Sequence, residues 1–109
     1  MGAERVRIGR CMLDRAAHRL TDEAGVEVPM SPLEFTLLKA LSDNPNRVLS
    51  RERILNLSGQ GSWEPFDRSV DLRILRLRKK IEPDPEHPQY IRTVRSEGYK
   101  FVPGGSEDV

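Results

Sequence analysis

The stretch RSVDLRILRLRKK, residues 68–80, places arginine or lysine at 68, 73, 76, 78, 79 and 80, with leucines and isoleucines between them. A helical reading sorts these residues by angle. At about 100° per residue, with Val70 at zero, Ile74 falls near 40°, Leu77 near 340° and Ile81 near 20°, a narrow core-facing stripe. On the same wheel Leu75 falls at about 140°, Arg68 at about 160°, Lys79 at about 180°, Leu72 at about 200° and Arg76 at about 240°. The face opposite the core therefore mixes leucine with arginine and lysine. Arg73 and Arg78 flank the stripe. The pattern predicts a helix from about Asp67 to Ile81.

A basic helix is most often a solvated surface, and cations near a helix C-terminus are favoured by the macrodipole. Two features argue for more. Leu72 and Leu75 lie on the far side from the core, where a merely wet face would be polar. A surface that is both apolar and cationic suits the DNA major groove, where thymine methyls and phosphates lie side by side. The second feature is the order of the flanking elements.

Upstream, MSPLEFTLLKALSDNP (residues 30–45) carries a helix start: Ser31 as N-cap, Pro32 at the first helical position and Glu34 completing a capping box. Met30 and Phe35 fit a hydrophobic staple. Leu33, Leu37, Ala40 and Leu41 form the apolar stripe, and Asn44-Pro45 ends the helix. In RVLSRERILNLSGQG (residues 47–61), Arg47-Val48-Leu49 reads as an extended link. Ser50 then caps a second helix bearing Ile54, Leu55 and Leu57, ended by Gly59 and Gly61. A loop from Gly59 to Phe66 holds Trp63.

Downstream, Glu82 to Pro88 has three prolines and cannot continue the helix. QYIRTVRSEGYKFVP (residues 89–103) reads as a hairpin, Tyr90–Arg95 and Tyr99–Val102 turning at Ser96-Glu97-Gly98. The N-terminal part reads as short strands: Arg5–Ile8, Cys11–Leu13, His18–Leu20 and Val26–Val28, with a turn at Thr21–Gly25. The order is helix, helix, recognition helix, wing.

The totals narrow the function. A chain of 109 residues suits one domain. Its net charge is only +1, so a nucleic-acid reading rests on where charge sits. The lone Cys11 reads as a small buried hydrophobe in a reducing cytosol. No apolar run approaches the roughly 18 residues of a membrane span, and no signal peptide opens the chain. Val6 stands where myristoylation needs Ser or Thr.

Catalysis finds little support. His18 and His87 read as surface residues. Gly59-Gln60-Gly61 starts like a dinucleotide loop, but Glu64 replaces the third glycine. No P-loop or nucleophile elbow occurs. No metal or cofactor site is expected.

MSPLEFTLLKAL, RVLSRERIL and DRSVDLRILRLRKKIEPDPEHPQYIRTVRSEGYKFVP together resemble the winged-helix DNA-binding domain of OmpR/PhoB-family response regulators. The likeness runs from about Val6 to Pro103. It implies an α+β winged helix-turn-helix: an N-terminal four-stranded antiparallel sheet, three helices and a C-terminal hairpin wing. The domain is expected over residues 4–103, with a flexible tail at 104–109. The implied function is sequence-specific binding of double-stranded DNA to regulate transcription, in the cytoplasm. Such a domain usually follows a receiver domain, for which this chain has no room. An excised output domain is therefore expected, with a standalone regulator as the alternative.

The resemblance also implies roles. Arg76 matches a base-contacting position, and an arginine can pair bidentately with guanine. Asp71 and Leu72 match neighbours that approach bases. Arg68, Arg73 and Arg78, with Lys79, match phosphate-holding positions, and Thr93 and Tyr99 match backbone contacts at the wing base. Arg95 matches a wing-tip residue that enters the minor groove. Leu75 departs from the family, which often has a polar or basic residue there. It implies either a methyl contact to a base or a small protein–protein patch.

The 59–66 loop matches a candidate RNA polymerase surface. Trp63 is its anchor if exposed, and otherwise packs as core. Head-to-tail pairing on direct-repeat promoter sites is also implied. The alternative function is a winged-helix protein-interaction module that does not bind DNA.

Overall fold

The computed structural model describes residues 5–57 and 69–105. Trp63 and the 59–66 loop, Asp67, Arg68 and the tail residues 106–109 lie outside that range.

Four short strands open the chain: β1 (Arg5–Ile8), β2 (Cys11–Asp14), β3 (Arg19–Thr21) and β4 (Glu27–Val28). They form an antiparallel sheet in sequence order, Ile8 facing Cys11 and Leu13 facing Leu20. The alternation seen in the sequence puts Ile8, Cys11, Leu13 and Leu20 in the core. His18 sits in the β2–β3 turn at φ 54° rather than in the expected strand. Its ring stacks on Phe35 with centroids 4.0 Å apart.

The first helix, α1 (Pro32–Asp43), starts as its sequence dictates. Ser31 Oγ accepts from the Glu34 N–H, and Glu34 Oε1 accepts from the Ser31 N–H, both at 3.1 Å. Of the expected stripe the helix encloses Leu37, Ala40 and Leu41 and leaves Leu33 half-buried, and it encloses Phe35 and Leu38 as well. Helix α2 (Arg51–Leu57) begins where Ser50 Oγ accepts from the Arg53 N–H. It buries Ile54 and Leu55 but leaves Leu57 exposed.

The described part of α3 spans Ser69–Ile81. Val70, Ile74, Leu77 and Ile81 are all buried, so the angular stripe is realised in full. The β1–β2 turn closes the helix's C-terminal end. Arg10 N–H donates to the Ile81 carbonyl at 2.9 Å, and Cys11 Sγ lies 3.4 Å from the Lys80 carbonyl. Gly9 is required in that turn: its φ is +62°, and a Cβ would stand 2.3 Å from the Ile81 carbonyl oxygen.

The wing pairs β6 (Ile91–Val94) with β7 (Gly98–Phe101). The segment read as an extended link, Val48–Leu49, is a strand of the same sheet. This strand, β5, pairs antiparallel with β7, and the sheet order is β5-β7-β6. The wing is thus anchored by the α1–α2 connection. Gly98 permits it, because at φ +142° a Cβ would stand 2.0 Å from the Leu49 carbonyl oxygen.

Candidate nucleic-acid interface

The outward face of α3 is laid out as the helical wheel places it. Leu72 and Leu75 are 54% and 52% exposed, with Arg76 and Lys79 exposed beside them and Arg73 half-buried at the edge. Two exposed leucines on one helix of a small domain leave apolar area that nothing within the described fold covers. Among the described residues Arg73, Arg76 and Lys79 enter no ion pair, and neither do Arg92, Arg95 and Lys100 of the wing. Arg92 and Lys100 face each other across the β6–β7 ladder. Like charges directly opposite one another are unfavourable unless an anion offsets them. The surface is therefore cationic where it is not apolar.

Other expected site residues turn inward. Arg78 is 9% exposed. Its Nε and Nη2 donate to the Ile91 carbonyl at 3.0 and 2.8 Å, and Nη2 donates to Thr93 Oγ1 at 2.8 Å. Burial pushes the Arg78 guanidinium below its ordinary pKa, against the pull of Tyr99 and Glu82, and an arginine so placed is still charged. Tyr99 is buried, and its hydroxyl donates to Asp71 Oδ1. Arg51 Nε donates to the same oxygen at 2.7 Å. Burial, then the bond to Asp71, raises the Tyr99 pKa.

These placements give three of the expected site residues partners within the fold. Arg78 and Tyr99, expected to hold phosphate, are committed to the joint between α3 and the wing. Asp71, expected near bases, has its carboxylate engaged by α2 and β7. Thr93 is exposed and accepts from Arg78, and Arg95 is exposed at the hairpin turn. The 95–97 turn is closed by Glu97 N–H donating to the Val94 carbonyl at 2.9 Å.

Two further anchors escaped the sequence reading. Glu82, 1% exposed, accepts from the Gln89, Tyr90 and Ile91 N–H groups at 2.8, 2.9 and 2.7 Å, gathering the proline loop and seating β6. Lys80 Nζ donates to Glu34 Oε1 at 2.6 Å and to the Pro29 carbonyl at 2.7 Å, fixing α3 against the start of α1. Burial works against the charged Glu34 carboxylate, but the bonds from Lys80 and Ser31 outweigh it and hold its pKa below the usual range. Glu82, directly before Pro83 at a helix end, could have been suspected from sequence. Nothing in the spacing signals that Arg51 meets Asp71.

Among the described residues there is no metal-binding cluster of His, Cys, Asp and Glu, and no helix is long and apolar enough to cross a membrane.

Among the described residues, three helices, two antiparallel sheets and a hairpin locked beside an outward cationic helix make up a winged-helix domain. The family described as "Transcriptional regulatory protein, C terminal" matches residues 25–101, and the chain belongs to it, as an effector domain of the OmpR/PhoB response-regulator type. The chain is 48% identical over 89 residues to the regulatory protein VirG of Agrobacterium tumefaciens (strain 15955), covering 82% of this chain and 33% of that protein. It therefore spans about a third of the length of the VirG relatives it matches.

Among solved structures, the RstA DNA-binding domain of Klebsiella pneumoniae, crystallised with the RstA box, superposes with a TM-score of 0.79 at 30% identity. That match covers 92% of this chain and 98% of that one. The effector domain of BfmR from Acinetobacter baumannii superposes with a TM-score of 0.75 at 40% identity, covering 92% and 91%.

Proposed function

We propose that this domain binds a promoter sequence by laying α3 in the major groove and the β6–β7 turn along the minor groove. Arg76 reads bases together with Leu72 and Leu75. Arg73 and Lys79 hold phosphates, as does Arg68, which lies outside the described residues. Thr93 touches the backbone and Arg95 enters the minor groove. Asp71, Arg78 and Tyr99 act by positioning: they fix the wing against α3 so that both reach the duplex together.

The observation that carries this reading is the outward face of α3. It is apolar and cationic at once, turned away from the buried stripe, and rigidly tied to a basic hairpin. A protein-interaction module would need the leucines but would gain little from so many cations outside ion pairs. Head-to-tail pairing on direct repeats, and a polymerase contact through Trp63, belong to the same proposal and rest on the family resemblance. The coverage of one third of the VirG relatives supports a reading in which the domain is the output part of a longer regulator with a receiver domain.

Selection from a random duplex pool, followed by affinity measurements across salt concentration, tests the proposal. An enriched motif whose affinity falls steeply with salt through counterion release supports it. Failure to enrich any motif, with weak binding indifferent to salt, would sink it.

A further inference from the structure

The inference concerns what the two exposed leucines recognise, and it rests on the DNA-binding reading above. Leu72, Leu75, Arg76 and Lys79 are spaced i, i+3, i+4 and i+7 and share one face of α3. Leu72 and Leu75 are each about half exposed, at 54% and 52%. A leucine has a short side chain with two terminal methyl groups, so each presents a compact apolar end rather than a long charged arm. Arg76 lies beside both, and Arg73 and Lys79 border them.

The occupant is set by charge and scale. An acidic protein surface would neutralise the cations but would desolvate carboxylates against leucine. A helix about 10–12 Å across fits a major groove about 12 Å wide, with phosphates on both rims and base edges on the floor. On that floor the only apolar group is the 5-methyl of thymine. From Leu72 to Leu75 the helix rises about 4.5 Å, between one and two base-pair steps of about 3.4 Å. Their ends therefore fall on neighbouring base pairs, and Arg76 reaches a base within the same short window.

We infer that Leu75, with Leu72 one turn before it, is a specificity-determining residue that seats thymine 5-methyl groups beside the guanine taken by Arg76. The preferred half-site then has thymines within a step or two of that guanine. A side chain of this kind adds preference without adding charge, so it leaves the electrostatic part of binding untouched.

The test starts from the motif selected with the 109-residue chain. Each thymine in it is replaced in turn by deoxyuridine, which removes only the 5-methyl group. Affinity is read by fluorescence anisotropy at fixed salt for the unaltered chain, Leu75→Ala and Leu72→Ala, with circular dichroism confirming folded variants. The expected result is a loss of about three- to fivefold at one thymine per leucine, the scale of one buried methyl. That loss disappears when the matching leucine is alanine, and the salt slope of Leu75→Ala stays that of the parent. If every deoxyuridine duplex binds like its thymine parent while the motif is still selected, the inference is overturned and DNA binding is not. If Leu75→Ala weakens binding only on paired sites, with no dependence on the methyl groups, Leu75 serves contact between copies and the inference is likewise overturned. Absence of any selected motif defeats the DNA-binding reading itself.

Discussion

The Tyr99 hydroxyl donates to Asp71 Oδ1 at 2.5 Å, joining the second strand of the wing to the first turn of α3. Arg51 of α2 donates to the same oxygen, and its guanidinium lies 5.3 Å from the centre of the Tyr99 ring. Arg78 approaches that ring at 5.6 Å. One carboxylate and one phenol thus bring together three elements that are remote in sequence. The angle between α3 and the wing is set by side-chain hydrogen bonds as well as by the core.

Removing only the hydroxyl, in Tyr99→Phe, keeps the ring against both guanidiniums and leaves Asp71 held by Arg51. The expected cost is about 0.5–1.5 kcal/mol, that of one partly buried hydrogen bond. Asp71→Asn weakens both bonds, and the two changes together cost less than their sum, since they share a partner. Urea unfolding of the two single variants and the double variant measures this. Strict additivity would show that the two groups do not cooperate.

Arg78 is expected to act through the fold rather than by holding phosphate. In Arg78→Ala the Ile91 carbonyl loses both of its guanidinium bonds and Thr93 loses its donor. Leaving a buried acceptor unmet costs about 1–3 kcal/mol. The melting temperature is expected to fall. The salt slope of DNA binding, measured where the variant is still folded, is expected to stay unchanged. A slope reduced by about one unit would return Arg78 to the phosphate-contacting set.

The pH dependence of stability follows from Glu34. Its folded pKa is held below the ordinary value near 4.3 by Lys80 and the Ser31 backbone, against the opposing effect of burial. A depressed carboxylate contributes stability that is present above the unfolded pKa and lost as pH falls through the folded one. The parent chain is therefore expected to exceed Glu34→Gln in melting temperature at neutral pH, with the gap closing only below about pH 4. A gap independent of pH would mean that the charge of Glu34 contributes nothing to it.

Much of this was legible in the sequence because it is local. The Ser31–Glu34 capping box and the Val70, Ile74, Leu77, Ile81 stripe are patterns within one element, and each folds as written. What escaped depends on contacts between elements. Val48–Leu49 is too short to signal a strand, and becomes one only because Gly98 lets β7 approach it. Arg78 sits at the margin of the apolar stripe by angle, and only the Ile91 carbonyl beside it decides that it turns inward. The same periodicity correctly sent Leu72 and Leu75 outward, so the outer face was read more accurately than its flanks.

The cations on and beside the outward face of α3 are expected to divide into two kinds. Arg73 lies at the edge of the outward face and Lys79 one turn beyond Leu75 along it, where the groove walls carry phosphate. Alanine at either is expected to weaken binding to selected and random duplexes alike and to lower the salt slope by about one unit. Arg76 stands beside the two leucines. Its removal is expected to cost roughly 1–3 kcal/mol on the selected site, to leave random DNA nearly unaffected and to relax preference at one base pair. Neither kind of variant should lower thermal stability much, because among the described residues none of the three side chains enters an ion pair. Paired titrations on selected and scrambled duplexes at several salt concentrations separate the two effects. Equal losses for Arg76→Ala on both duplexes would place Arg76 with the phosphate holders and leave sequence preference to the leucines and the wing.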